Sequence, residues 1–278
     1  MGSKGVISLL GCGWLGFPLA KSLISNGFSV MATTTTFSKL KIMENAGIDP
    51  YLVQFLDDVQ VPELKNFFNA EILIITIPPG RRDPNGFDNY RKMVRFVGDQ
   101  LPDSRVSKLI LISSTSVYGD INDIVDEFTE ANPDTESGKL MADTETYFGK
   151  QNVDMISLRL GGLVGPGRPP GRFFAGRTGV PNGLAPVNLI HLKDVIGIIH
   201  SLINLKNISG IFNGCAPFHP TRREFYTLAA KSEGLEIPHF VPEKTVWKIV
   251  SSKRLVDELN YHFEFPSPLD WIDTGRKK

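Results

Sequence analysis

The chain holds only two cysteines, Cys12 and Cys215, among its 278 residues. That excludes a disulfide-built scaffold and a zinc site made from paired thiols. Histidine is nearly as sparse: His191, His200, His219, His239 and His262 are scattered without metal-ligand spacing, so no metal is expected. Neither sign of charge is in excess, since 30 Lys and Arg face 30 Asp and Glu. This argues against a general nucleic-acid or membrane surface. No apolar run approaches membrane-spanning length, and the N-terminus has no cleavable apolar segment. What remains is the expectation of a cytoplasmic globular chain, 41% hydrophobic and 22% charged, long enough for one large or two modest domains.

The most informative stretch present is Gly11-Cys12-Gly13-Trp14-Leu15-Gly16. A short apolar run at 6–10 precedes it, and a helical pattern ending near Asn26-Gly27 follows it. Strand, G-x-G-x-x-G, helix is the context that lifts this motif above chance. Gly11 permits the tight turn, Gly13 lets backbone approach a pyrophosphate, and Gly16 lets helix and strand pack closely. The helix start at Trp14 and Leu15 offers N–H groups to phosphate. Cys12 fits there as a small side chain, and a catalytic thiol is not expected.

Apolar runs alternate with helical patterns through the first 160 residues. Strands are predicted at 6–10, 28–33, 51–55, 71–77, 108–113 and 155–160. Several are continuously apolar, as parallel strands buried on both faces should be. Ser38 is placed to cap a short helix stopping at Ala46-Gly47. Phe87, Tyr90, Met93, Val94 and Val97 mark a longer helix. The alternation predicts an α/β fold, a Rossmann-type doubly wound parallel sheet. Residues 161–183 form a Gly-, Pro- and Arg-rich loop. Order resumes with a strand at 187–191, a helix at 193–205, a short strand at 211–213, and a helix opened by the capping-box spacing Thr221 to Glu224. The expected division is a dinucleotide-binding domain over 1–162, rejoined by 187–214, and a smaller C-terminal substrate-binding region from 163–186 and 215–278.

GCGWLG at 11–16, SSTSVYGD at 113–120, RLGGLVGPGR at 159–168, VNLIHLKDV at 187–195 and TRREFY at 221–226, in this order and spacing, resemble the extended short-chain dehydrogenase/reductases, the NAD-dependent epimerase/dehydratase family. The resemblance covers nearly the whole chain. It implies a nicotinamide dinucleotide held between a Rossmann domain and a substrate-binding region. It also implies that Gln54 and Phe55 lie near the adenine, and that Ile77, Pro78, Pro79, Ser113, Gly161 and Gly162 line the cofactor. An NAD site usually places a carboxylate about 20 residues past the glycines, on the ribose 2′-OH. Here the region reads Met31-Ala32-Thr33-Thr34-Thr35-Thr36-Phe37-Ser38-Lys39 and has none. Hydroxyls at Thr34, Thr35 and Ser38, with Lys39, suit a 2′-phosphate, so NADP is favoured over NAD. A Thr run at a strand end is equally a β-branched strand with a polar face.

The resemblance implies a catalytic Ser/Thr with a Tyr and a Lys spaced Y-x-x-x-K. Ser114 matches the first, or it is a turn hydroxyl. The other two depart from the pattern. One register sets Lys139 against the family's Lys and Thr135 against its Tyr. The other sets Ser137 against Tyr and Met141 against Lys, and fits better downstream through Glu145. Neither supplies a tyrosine, and Tyr147 lies about 12 Å beyond Lys139 along the helix at ~1.5 Å per residue. The candidate catalytic residues are therefore Ser114, Lys139 and Ser137, in an atypical member whose acid/base pair is altered. Arg168, Arg172 and Arg177 could clamp an anionic small-molecule substrate, or be solvated arginines on a loop. His191 is expected to be packed rather than catalytic. An oxidoreductase or epimerase-like enzyme, alternatively a non-catalytic NADP sensor or scaffold, with a homodimer as the possible assembly, is the expectation that follows.

Overall fold

The computed structural model describes residues 4–54, 64–80, 83–205 and 208–274. Eleven strands are described: β1 (Val6–Leu10), β2 (Ser29–Thr34), β3 (Asp49–Leu52), β4 (Ile72–Ile75), β5 (Lys108–Ser114), β6 (Asp123–Val125), β7 (Asp154–Leu160), β8 (Gly162–Val164), β9 (Leu189–His191), β10 (Gly210–Gly214) and β11 (Lys248–Val250). The α-helices among the described residues are α1 (Gly16–Ser25), α2 (Leu40–Asn45), α3 (Gly86–Gln100), α4 (Glu136–Phe148), α5 (Leu192–Asn204), α6 (Arg222–Ser232), α7 (Lys253–Leu259) and α8 (Pro268–Thr274).

Seven strands form one sheet in the order β10-β7-β5-β4-β1-β2-β3. Pairing is parallel from β3 through β2, β1 and β4 to β5. Register places Ile7 between Val30 and Ile72, and Leu73 beside Leu109. Ile7, Leu9, Leu73, Ile74, Leu109 and Ile110 are completely buried. Continuous apolar runs therefore report strands covered on both faces, as the sequence predicts. The chain lays β1, β2 and β3 in one direction and then returns to put β4 on the other side of β1. The C-terminal end of β1 is thus a point where strand order reverses, the place where open α/β sheets bind ligands.

Helix punctuation follows the glycines. Gly27, at φ +89°, ends α1, with the Gly27 N–H on the Ile24 carbonyl and the Phe28 N–H on the Leu23 carbonyl. Only a residue tolerant of positive φ closes a helix this way. The Thr221–Glu224 capping box opens α6 as expected. Ser38 does not cap α2. It lies inside a one-turn 3₁₀ helix, Phe37–Lys39, and the N-cap of α2 is Lys39, without a side-chain bond. The tail contains α7, α8 and the strand β11, which pairs in parallel with β6.

The chain divides into two compact units. One comprises Met1–Ser113, Lys139–Leu158 and Ile203–Ile211; the other comprises Ser114–Gly138, Arg159–Leu202 and Phe212–Lys278. In the second, Val164, Val187, Leu189, Phe225, Ala229 and Ile272 form a core under α6 and α8. No helix among the described residues is long and apolar enough to cross a membrane.

Candidate functional site

The first unit carries the 11–16 turn at the end of β1. Gly11 has φ +110°, and a Cβ there would lie 2.7 Å from Ile77 Cγ1. A Cβ at Gly16 would lie 2.0 Å from the Gly11 carbonyl oxygen. These two glycines are sterically required. Gly13 differs, being exposed with nothing within 4 Å of a built Cβ. Its backbone faces open space, and a side chain would fill that space. Two threonines hold the turn. The Gly11 N–H donates to Thr33 Oγ1 (2.9 Å) and the Cys12 N–H to the Thr33 carbonyl (2.7 Å), while Thr76 Oγ1 donates to the Gly11 carbonyl (2.6 Å). Leu15, the N-cap of α1, is buried and supplies no side-chain bond, and the first turn has no acidic residue. The positive end of the α1 dipole is left to whatever approaches Gly13, so the turn fits a pyrophosphate. Trp14 is half-buried beside it. Burial pushes the Cys12 thiol up to about 11, against the opposing charge of Lys39, so the thiol stays protonated at neutral pH.

The segment after β2 emerges next to this turn, because Thr33 ties β2 to Gly11 and Cys12. Thr34 is buried and its Oγ1 accepts the Thr36 N–H (3.2 Å). Thr35 is exposed, and its carbonyl accepts Gln54 Nε2 (3.5 Å). Phe37, Ser38 and Lys39 are all exposed. Ile77 is half-buried beneath Gly11, Pro78 is exposed and Pro79 half-buried. Phe55 lies outside the described residues. Thr33 and Thr76 were not among the residues singled out from sequence. Knowing that β2 and β4 flank β1 would have found them, since each stands where a hydroxyl reaches the turn.

Also in this unit, Ser113 Oγ donates to Glu145 Oε1 (2.5 Å), and Ser157 Oγ donates to the same oxygen (2.7 Å). Glu145 thus binds β5 and β7 to α4, and the Ser113 hydroxyl proton is directed to it. Met141, one turn earlier, is buried, and the Tyr90 hydroxyl donates to its Sδ (3.5 Å). Burial of Tyr90 raises its pKa. Lys139 is exposed. Met141 is thus buried with Leu140, Thr144 and Phe148 on the inward side of α4, Glu145 bonds inward to the sheet, and Lys139 is exposed.

In the second unit, Ser114 Oγ accepts the Ser116 N–H (3.2 Å) and caps the 3₁₀ turn Thr115–Tyr118. Thr135 Oγ1 accepts the Gly138 N–H (3.1 Å), an N-cap bond for α4, and Ser137 is buried. A Cβ on Gly138 would meet the Ser116 carbonyl at 2.7 Å, so the start of α4 packs directly on that turn. Tyr118 is completely buried. Its hydroxyl donates to Asn213 Oδ1 (2.8 Å), and the Arg159 guanidinium lies 4.7 Å from its ring centre. The phenol is raised by burial, which outweighs Arg159, and serves the core.

Gly161 and Gly162 join β7 to β8. Their N–H groups donate to Gly214 and Asn188 carbonyls, and a Cβ on Gly161 would meet the Asn188 oxygen at 2.7 Å. The loop that follows is pinned by the tail: the Val180 N–H donates to the His239 carbonyl, and the Gly183 N–H to the Val241 carbonyl. Arg168, Arg172 and Arg177 are exposed. The guanidinium of Arg177 lies 5.8 Å from the Phe174 ring centre, and that of Arg222 5.1 Å from it. His191 is buried against Phe265 (4.1 Å) and Trp271 (5.6 Å), and its Nδ1 accepts the Lys193 N–H. Burial, helped by Lys193, lowers its pKa to about 4, so it is a neutral packed ring. Asp194 accepts the N–H groups of Glu264 and Phe265 and the Tyr261 hydroxyl. Among the described residues no cluster of three His, Cys, Asp or Glu side chains could hold a metal ion.

No protein-family model matches the chain. Protein YeeZ of Escherichia coli K12 is 40% identical over 270 residues, covering 95% of this chain and 97% of that protein. The Bordetella bronchiseptica enzyme WbmG, solved in complex with NAD, aligns with a TM-score of 0.80 at 16% identity, over 98% of this chain and 95% of that one. The UDP-N-acetylglucosamine 4-epimerase of Bacillus cereus aligns with a TM-score of 0.78 at 16% identity, over 98% and 95%. The chain belongs to the same family as Protein YeeZ, and its fold is that of the extended short-chain dehydrogenase/reductases, the NAD-dependent epimerase/dehydratase fold.

Proposed function

We propose that this member of the Protein YeeZ family binds a nicotinamide dinucleotide at the 11–16 turn and prefers NADP. The observation that carries the reading is the open backbone at Gly13, at the point where strand order reverses. The NADP preference rests on the segment beside it, where Lys39 is exposed, its charge acts on the Cys12 thiol, and residues 31–39 contain no carboxylate. A 2′-phosphate gains a charge-assisted partner there, and a carboxylate that would repel it is absent. Both dinucleotides can be titrated against Trp14 fluorescence. NADPH should bind roughly tenfold or more tighter than NADH, the size of a hydrogen bond to a charged group. Binding of neither below millimolar concentration overturns the reading.

As an enzyme the chain would act as an oxidoreductase or epimerase-like catalyst on a small polar, anionic or nucleotide-sugar-like substrate. A bound nicotinamide supplies hydride chemistry. Ser114 has a hydroxyl proton left to donate after accepting from Ser116, and the side chains of Arg168, Arg172 and Arg177 reach solvent, where they can meet an anion. The substrate-binding region would comprise residues 163–186 and 215–278, and the dinucleotide-binding domain residues 1–162 and 187–214. We place the chain in the cytoplasm, as a possible homodimer. A specific observation favours a second reading, a dinucleotide-binding sensor or scaffold. Met141, which one register sets against the family's Lys, is an apolar residue on the inward face of α4, and Lys139, which the other register sets there, is exposed. A positioned acid/base group is worth about 10²–10⁴-fold in rate. A screen for NADPH oxidation with carbonyl compounds and nucleotide sugars separates the two. Turnover abolished in Ser114→Ala supports the enzyme, and cofactor binding without turnover on any of them supports the sensor.

A further inference from the structure

We propose that Phe37 is the stacking platform for the adenine ring of the dinucleotide, a binding residue of the site. The inference rests on the cofactor reading above and adds to it a residue that neither the glycine motif nor the family pattern assigns.

Phe37 is 76% exposed. It opens the one-turn 3₁₀ helix Phe37–Lys39, three residues past the end of β2. Its position is set by two anchors. On one side Thr33 ties β2 to the backbone of Gly11 and Cys12. On the other, Gln54 Nε2 reaches the Thr35 carbonyl from beyond β3. The turn carrying Phe37 therefore leaves the sheet beside the phosphate-binding backbone. In a dinucleotide site the residue ending the second strand addresses the adenosine ribose, so residues just beyond it are the ones within reach of the base. The same turn holds Lys39, whose charge is felt at the Cys12 thiol. A flat apolar ring and a cation two residues apart on one exposed turn, with no carboxylate in 31–39, complement a ligand that joins a flat ring to an anion. Adenosine 2′-phosphate is such a ligand.

Base–aromatic stacking removed by alanine substitution corresponds to a loss of roughly 5- to 150-fold in affinity. The test measures binding of three probes to the full chain by calorimetry: NADPH, adenosine 2′,5′-bisphosphate, and reduced nicotinamide mononucleotide, which lacks adenine. In Phe37→Ala the first two should weaken by the same factor within that range. The mononucleotide should bind as it does to the parent, and Phe37→Trp should restore affinity to within about threefold. Phe37 is exposed, so these variants keep the fold, which far-UV circular dichroism verifies. Phe37→Ala binding NADPH and the bisphosphate within twofold of the parent overturns the proposal while leaving the cofactor reading intact. Equal weakening of all three probes also overturns it, because the loss would not belong to adenine. A parent chain that binds neither NADPH nor NADH overturns both readings together.

Discussion

The 11–16 turn and the first two turns of α4 stand in sharp contrast, because one is specified by what its residues lack and the other by what its side chains carry. At Gly11 and Gly16 the constraint is steric, and any Cβ collides with the neighbouring backbone or with Ile77. Such a site tolerates nothing else and is visible in a sequence as glycine at fixed spacing. At the start of α4 the backbone is an ordinary capped helix, with Thr135 on the Gly138 N–H. Its chemistry depends entirely on which side chains face inward, and these can change while the helix stays. A glycine turn of this kind can therefore be retained in a chain while helix side chains are replaced.

The largest effect that would break this contrast is expected at Gly16. Gly16→Ala puts a methyl 2.0 Å from the Gly11 oxygen, and urea unfolding should show a loss of about 3 kcal/mol, at the upper end for overpacking. Gly13→Ala, with nothing within 4 Å, should leave stability within about 0.5 kcal/mol and yet weaken NADPH binding at least about tenfold, the cost of keeping phosphate away from the backbone N–H groups. Equal effects of the two substitutions on stability would refute the separation of turn-building from ligand-facing glycine.

The corresponding probe of α4 is Met141→Lys. In the register that sets Met141 against the family's Lys it restores that residue type, but at a position only 3% exposed and in contact with Tyr90. Burying an ammonium at this position, one turn from the Glu145 carboxylate, should cost about 3 kcal/mol, read in the same unfolding assay. A cost below about 1 kcal/mol would mean that α4 presents a different face from the one described.

The pH behaviour of Cys12 sharpens the turn further. Burial raises its thiol to about 11, so alkylation by iodoacetamide, followed by mass spectrometry at that residue, should rise with pH to an inflection near 11. At pH 8 it should run about 100-fold slower than an ordinary thiol of pKa about 9, since reactivity follows the thiolate fraction. An inflection near 8.5 would show the turn to be open where it is described as closed.

How much of this was legible in the sequence follows the same divide. The apolar runs of β1, β4 and β5, the glycines of the turn, and the Thr221–Glu224 box each express a local rule, and each stands where that rule put it. Three features escaped because their partners are distant. Thr33 and Thr76 serve Gly11 from 22 and 65 residues away. The strand β11 pairs with β6 across more than a hundred residues and is too short to announce itself. Glu145 could be placed on a helix, but its joining of Ser113 to Ser157 depends on β5 and β7 being neighbours. Ser38 failed as a cap because the chain first makes a 3₁₀ turn, and the hydroxyl falls inside it.

Glu145→Ala tests that last junction. It leaves two hydroxyls, one on each strand, without their shared acceptor, and the loss of hydrogen bonds to a charged group should cost about 2 kcal/mol. Because Ser113 is released as well, NADPH affinity measured on the same variant tells whether the residue acts on the fold alone. Unchanged affinity alongside the lost stability is the expected outcome.

The smallest effect is expected at Lys139, and it separates the two registers for α4. If Lys139 were the family's lysine, Lys139→Met would remove a group that holds the nicotinamide ribose, and dinucleotide affinity would drop by an order of magnitude or more. The side chain is instead exposed, while Met141, two residues on, occupies the inward position. Lys139→Met should therefore change both stability and NADPH affinity by no more than about 0.5 kcal/mol, the range of ordinary surface substitutions. A large loss of affinity would move the register by two residues, return Thr135 to the tyrosine position, and put a working cation back beside the cofactor. An unchanged affinity favours the register that sets Ser137 and Met141 against the family's Tyr and Lys.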